Sequence, residues 1–213
     1  MVKAPEPWPK LAWLLRLLRD GTHTPPARVL EGVPLLTAKN VRNDTLEFTS
    51  DDTFVSTSDA DQLDRSVKAL PGDVLLSIKG ARLGRPAVVS PDLPRFTFER
   101  NLALLRPDTG RCAPDWLHLT LLSAPVQDQI ALGRTFSALP GIYLGALAQL
   151  RIPTPPLREQ GPRLREIAAM RAHQETHLRA IAKQVALLKE RRQVLITAAV
   201  TGALDVTTAR GVA

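Results

Sequence analysis

Between Pro162 and Gly202 the chain holds neither proline nor glycine. The intervening RLREIAAMRAHQETHLRAIAKQVALLKERRQVLITAAVT predicts one helix of about 39 residues, roughly 58 Å long. Positions 164, 167, 171, 174, 178, 181, 185, 188, 192, 195 and 199 follow an alternating three–four spacing. Leu164, Ile167, Leu178, Ile181, Val185, Leu188, Leu195 and Ala199 make that seam apolar, while Arg171, Gln174 and Arg192 interrupt it. This is the pattern of a coiled coil whose polar members fix register. Helices much longer than about 25 residues point to coiled coils or repeats. The seam and the apolar end at Leu195, Ile196 and Val200 are therefore expected to meet another polypeptide. The competing reading folds the helix back on residues 1–157 as a core element.

The apolar end is no membrane span. Val194–Val200 is far shorter than the ~20 apolar residues a bilayer needs, contains Thr197 and follows Lys189, Arg191 and Arg192. At the other end, Arg16 and Arg19 break up the apolar stretch near Trp8–Leu18, and no small-residue cleavage site follows. A lone cysteine, Cys112, excludes an intrachain disulfide and fits a reducing compartment. A cytoplasmic protein without membrane contact is expected.

Residues 1–157 obey a different grammar. Leu11, Leu14, Leu15 and Leu18 fall at helical spacing and predict a short opening helix. DGTHTPP (20–26) reads as a loop. Strand-like runs follow: VPLLTA (33–38), TLEFT (45–49), DVLLSIK (73–79), PAVVS (86–90) and FTFERNLALL (96–105). Pro-Gly-Asp at 71–73 sets a turn before the third of these. Two helices are expected around Trp116–Leu122 and Val126–Gly133. In RIPTPPLREQ (151–160), Pro153, Pro155 and Pro156 predict a stiff extended link. The fold class is α+β: a globular domain over 1–157, a long helix over 158–206 and a tail over 207–213.

The net charge is +7 and the pI about 10.2, which favours contact with phosphates or another acidic surface. The charge is segregated. From Lys39 to Asp64 acids outnumber bases seven to two; from Arg65 to Arg111 bases outnumber acids nine to four. Lys79, Arg82 and Arg85 cluster on the glycine-bracketed turn SIKGARLGRP (77–86). Three long cations on one loop suit a phosphate backbone or a guanine edge; a solvated basic turn is the plain alternative.

No motif for catalysis stands up. The Gly80–Gly84 turn has the wrong spacing for a nucleotide-cofactor loop, and no Gly-Lys-Ser/Thr occurs. HQETH (173–177) sets His173 and His177 one turn apart, but Glu175 stands where a zinc protease would not have its base. Cys112 lies in a Pro/Gly-containing loop and shows no His or acid pairing that would make it a nucleophile. No metal, no cofactor and no enzymatic activity are expected.

DGTHTPP, GVPLLTAKNV (32–41), PGDVLLSIKGARLGRPAVV (71–89), IPTPPLREQ (152–160) and LLKERRQVLITAAVTG (187–202) occur in this order. Together they resemble the specificity subunits of type I restriction–modification systems, over nearly the whole chain. The resemblance implies a target-recognition domain followed by a helix that pairs as an antiparallel coiled coil. It also implies double-stranded DNA as ligand, docking of DNA methyltransferase (modification) subunits, and a restriction/translocase subunit in the full complex. Members of that family usually carry two such domains and two such helices; here there is one of each. A half-subunit that homodimerises to read a bipartite, palindromic site is one explanation, and a truncated gene or fragment is the other. The start at Met1 and the passage through a domain and helix to Ala213 favour the former.

The expected DNA contacts are Lys79, Arg82 and Arg85. Thr22, His23, Thr24, Lys39 and Asn40 belong to the shared motifs and are expected to touch phosphate or support the scaffold. Arg179, Lys183 and Lys189 are expected to face DNA or an acidic partner. The rival class is a coiled-coil assembly protein with no DNA specificity of its own.

Overall fold

The structure, a computed structural model, describes residues 8–135 and 139–203. It divides into two compact units, Met1–Leu164 and Arg165–Ala213. The expected tail at 207–213 and residues 204–206 lie outside the described residues.

The first unit is built on a four-stranded antiparallel sheet. Its strands are β1 (Leu15–Asp20), β6 (Val74–Ser77), β7 (Pro86–Val88) and β9 (Leu102–Pro107), in the order β1-β9-β6-β7. Both central strands carry apolar runs, Val74–Leu76 and Leu102–Leu105, because both sheet faces are covered. Val74, Leu76, Ala103 and Leu105 face a cluster completed by α2 (Pro114–Leu121), α3 (Ala124–Leu132) and α4 (Leu144–Ala148). Leu75, Leu102 and Leu104 face the opposite way, onto Leu36, Val41, Leu46, Phe96 and Phe98. Leu75 and Leu104 are fully buried and directly paired; each contributes ~1.5–3 kcal/mol by leaving water.

The second cluster rests on smaller pieces. β2 (Val33–Leu36) lies between β5 (Thr53–Val55), to which it is antiparallel, and β8 (Thr97–Phe98), to which it is parallel. β3 (Val41–Arg42) and β4 (Thr45–Leu46) form a hairpin whose two turn residues, Asn43 and Asp44, have φ of 47° and 62°. Such a turn selects Asn and Asp, which tolerate the left-handed region and match strand twist. The helix α1 (Thr57–Ser66) is capped by Ser56, which accepts from the Asp59 N–H.

Three sequence expectations are corrected. Leu11–Leu14 form only one 3-10 turn, and Leu15 onward is strand β1. Pairing with β9 overrides the helical spacing, and a register shift between Leu15 and Leu17 lets Leu17 face one cluster and Leu15 and Leu18 the other. FTFERNLALL is two strands, because the chain turns at 99–101 to leave β2 and join the main sheet. Finally, α5 runs from Leu157 to Val200, so the extended link is confined to residues 151–156. Pro162 lies inside α5 and removes one helical hydrogen bond. Gln160 counters this loss by pinning the same turns to the domain.

Gln160 is fully buried and hydrogen-bonds Arg111, Ala113 and Pro155. Leu164, expected in a partner interface, is half-buried and packs on its own domain's first cluster. No helix of the described residues is long and apolar enough to cross a membrane.

In the second unit, α5 leaves its apolar seam in solvent. Leu178 is 65% exposed, Leu188 63% and Val200 83%. Ile181, Val185, Leu195 and Ile196 are exposed as well, and Ile167 and Ala199 are half-buried.

Candidate nucleic-acid interface

The DGTHTPP loop is fixed by its glycine. A Cβ on Gly21 would lie 2.2 Å from the Phe98 carbonyl oxygen and 2.6 Å from the Glu99 carbonyl carbon. That close approach lets the Gly21 N–H reach the Leu102 carbonyl and the Thr22 N–H reach the Phe98 carbonyl, at 3.1 and 3.0 Å. Thr22 Oγ donates to the Thr24 carbonyl at 3.0 Å, and His23 Nε2 lies 2.6 Å from an Asp20 carboxylate oxygen. Arg19, Thr22, His23 and Thr24 share a cleft of about 340 Å³ with Ser66 of α1 and Thr97 of β8. His23 and Thr24 are exposed, and Thr22 is partly so.

Lys39 and Asn40 fall elsewhere and have other work. Asn40 is fully buried. Its amide donates to the Glu47 carbonyl and to Asp52, and its oxygen accepts from the Thr37 N–H. This corrects its place among candidate DNA contacts: no polar atom of Asn40 is left to offer. Lys39 Nζ donates to the Asp51 carbonyl at 2.6 Å and lies 3.3 Å from both the Asp51 and Asp52 carboxylates. Its charge is spent within the acidic loop. The Asp51 carboxyl is held below its usual value by hydrogen bonds from Thr49 and Lys39. For Asp52, burial pushes the carboxyl up, but hydrogen bonds from the Thr49 N–H, Asn40, the Thr49 hydroxyl and Lys39 outweigh it and leave it lowered.

The basic turn is split rather than shared. Gly80 and Gly84 have φ of 87° and 83°, which reverses the chain twice within five residues. Arg82 and Arg85 open onto a concavity of about 330 Å³ with Val41, Asn43 and Asp44. Arg82 Nη1 donates to the Val41 carbonyl at 2.9 Å, and Arg85 lies 3.7 Å from Asp44 while remaining exposed. Lys79 pairs through its backbone with Gly141 and lines a separate hollow of about 250 Å³ with Ile142 and the exposed Tyr143. The expectation of three cations acting from one loop therefore becomes two arginines in one place and a lysine in another.

Asn43 and Asp44 are the residues the sequence reading missed. They bring an amide and a carboxylate beside the two arginines, and Asp44 is held from behind by His118, whose Nε2 meets its carbonyl at 3.0 Å. The signal was present: a two-residue Asn-Asp between VR and TL marks a tight hairpin. The sharing of one concavity by that hairpin and the basic turn was not readable from local sequence.

The other reactive groups singled out in the sequence line none of these clefts. Cys112 is buried, and burial pushes its thiol up to about 12. His173 and His177 lie with their Nε2 atoms 3.0 Å apart on α5, while Glu175 pairs with Arg179. Among the described residues no group of three or more His, Cys, Asp or Glu could hold a metal ion.

No family model matches the chain, and no curated protein does either. Solved structures do. The HsdS subunit from Thermoanaerobacter tengcongensis matches with a TM-score of 0.60 at 22% identity, over 95% of this chain and 47% of that one. A chain from a structure of the type I R-M system, concerned with its complex assembly and conformational transition, matches with a TM-score of 0.61 at 16% identity, over 100% and 53%. The type I restriction-modification system S subunit from M. genitalium matches with a TM-score of 0.52 at 12% identity, over 83% and 42%. The chain thus spans about half the length of the structures it matches. It has the fold found in type I restriction–modification specificity subunits: one α+β domain followed by one long helix.

Proposed function

We propose that this chain is a non-catalytic, sequence-specific DNA-recognition subunit of a type I restriction–modification complex, acting in the cytoplasm as a half-subunit. Two copies pair through α5 as an antiparallel coiled coil, and each domain reads one half of a bipartite site. Methyltransferase (modification) subunits, and a restriction/translocase subunit where present, supply the catalysis. A two-fold dimer presents the same reading surface twice, so the target is an interrupted palindrome.

The observation that carries the reading is the bare seam of α5. Leu178, Ile181, Val185 and Leu188 lie on one stripe, all exposed in the single chain. The fold match supports the DNA-recognition part of the reading, since the matched structures include type I restriction–modification S subunits. On the domain, the Arg82–Arg85–Asn43–Asp44 concavity combines backbone-neutralising charge with groups suited to base edges. The DGTHTPP cleft, with Arg19, Thr22, His23 and Thr24, is assigned to phosphate contact.

The test is selection from a randomised duplex DNA pool with the purified protein at moderate salt. Enrichment of an interrupted palindrome is the expected result. Two unlike half-sites would overturn the homodimer, and no enrichment, alone or with a methyltransferase, would overturn DNA reading. One observation favours the rival reading, a coiled-coil assembly protein: Lys39 and Arg85 already have carboxylate partners. Under that reading DNA affinity is absent, rather than falling steeply with salt.

A further inference from the structure

The seam of α5 carries more information than the existence of a partner. We propose that it specifies one antiparallel register with a second copy of this chain, centred on the Ala182–Gln184 segment. The inference rests on the homodimer reading above and adds to it which residues meet.

In an antiparallel pair the alternating seam positions of one helix face those of the other in layers, and charged flanking positions choose the alignment. Setting Ile181 against Val185 of the second copy places Leu178 against Leu188 and Ile167 against Ala199. Those layers are apolar on both sides. The same alignment sets Gln174 against Arg192, so two of the three polar seam residues meet each other, and an amide oxygen faces a guanidinium donor. Only Arg171, against Leu195, is a polar–apolar layer, and its aliphatic stem covers leucine while its head stays in water.

Sliding one helix by a heptad is worse in both directions. One slip sets Ile167 against Arg192, Arg171 against Leu188 and Gln174 against Val185. The other sets Ile181 against Arg192 and Gln174 against Ala199, and shortens the overlap. Each leaves arginine and glutamine opposite aliphatic groups, without the polar partner that the centred register supplies.

The flanks agree independently. In the centred register Glu175 faces Lys189 of the second copy, twice per dimer by symmetry. Ala168 faces Ile196, and Met170 faces Ala198, so the apolar end that is bare in the single chain acquires a cover. Ala182 and Gln184 each meet their own copy across the two-fold axis. His177 against Arg191 is the one flank pair without an evident attraction. Within the single chain Glu175 already bonds Arg179 one turn on. That pair is exposed and weak, and the carboxylate has a second oxygen for Lys189. Leu164 is not needed, in keeping with its packing on its own domain.

The test uses the full chain in sedimentation equilibrium. Glu175→Lys and Lys189→Glu each replace attraction by repulsion at two symmetric places, and each raises the dimer dissociation constant about tenfold. The double variant E175K/K189E restores it to within about twofold of the wild type. Single cysteines supply an independent readout, with the buried Cys112 left in place. Ala182→Cys crosslinks to itself on mild oxidation, whereas Glu175→Cys and Lys189→Cys do not. A dimer in which the double variant is not rescued, or in which all three cysteines crosslink as a parallel pair would, overturns the register and leaves dimerisation standing. A wild-type chain that stays monomeric at high micromolar concentration overturns the homodimer itself.

Discussion

Gln160 and Ala113 are joined by a buried hydrogen bond of 2.8 Å, from the Ala113 N–H to the Gln160 side-chain oxygen. The amide nitrogen of Gln160 meanwhile donates to the carbonyls of Arg111 and Pro155 at 2.9 and 3.0 Å. One fully buried side chain thus ties the start of α5 to the loop ahead of α2 and to the proline link. Replacing it with alanine leaves a buried N–H and two carbonyls short of partners. Gln160→Ala is expected to cost about 2–4 kcal/mol, seen as a lower midpoint in urea unfolding of the domain. A midpoint unchanged from wild type would mean that water or other groups take over these bonds.

Gly21→Ala tests the DGTHTPP corner. The added methyl would meet backbone atoms of Phe98 and Glu99 rather than a side chain able to swing aside. Separation of the loop from β8 is the expected outcome, with a loss of roughly 3 kcal/mol or more. Thermal unfolding reads it directly, and a fully stable variant would show the corner to be looser than described.

The acidic loop gives a pH signature. The Asp52 carboxyl is lowered in the folded chain, so protonation favours the unfolded state. Its contribution is complete above the unfolded value of about 3.9 and is lost as pH falls through the folded one. Asp52→Asn is expected to be less stable than wild type at pH 7, with the difference shrinking below about pH 4. Urea midpoints across that range decide it; a pH-independent gap would assign the loss to shape alone.

On the reading proposed for the site, the two arginines of the shared concavity should separate in effect. Arg85 is exposed and only loosely paired with Asp44, whereas Arg82 is bonded to the Val41 carbonyl. Arg85→Ala should weaken DNA binding about tenfold with little change in stability. If Arg85 touches phosphate, the slope of log affinity against log salt falls by about one; if it reads a base, discrimination at one position relaxes instead. Lys39→Ala should leave DNA affinity intact and lower stability, since its partners are Asp51 and Asp52.

Much of the domain was readable because its signals are local. Pro71, Gly72 and Asp73 announce a turn, and Gly72 indeed has φ of 87°. The apolar run beginning at Val74 is the strand β6, and the expected helices near Trp116 and Val126 are α2 and α3. The helix α1 was missed because TSDADQLDRS has almost no apolar stripe. Its order comes from the Ser56 cap and from Arg95, which reaches across to Asp61 and Asp64.

Leu11–Leu18 shows where local pattern runs out. Four leucines at helical spacing satisfy a helix, yet Leu11 and Leu14 fall in a single 3-10 turn, and Leu15 and Leu18 lie in a strand with one irregularity in register. The partner strand β9, some ninety residues away in sequence, decides between them by offering backbone hydrogen bonds that a helix there would forgo.

By itself the sequence determined the α+β domain, the proline link and the long seamed helix, because turn residues, caps and apolar periodicity act over a few residues. The tertiary structure alone decided what each candidate side chain is free to do. Asn40 and Leu164 turn inward, Lys39 is taken up by two aspartates, Lys79 parts from Arg82 and Arg85, and Asn43 and Asp44 join those arginines. Availability for a ligand depends on burial and on partners brought in from distant parts of the chain, and no local pattern records either.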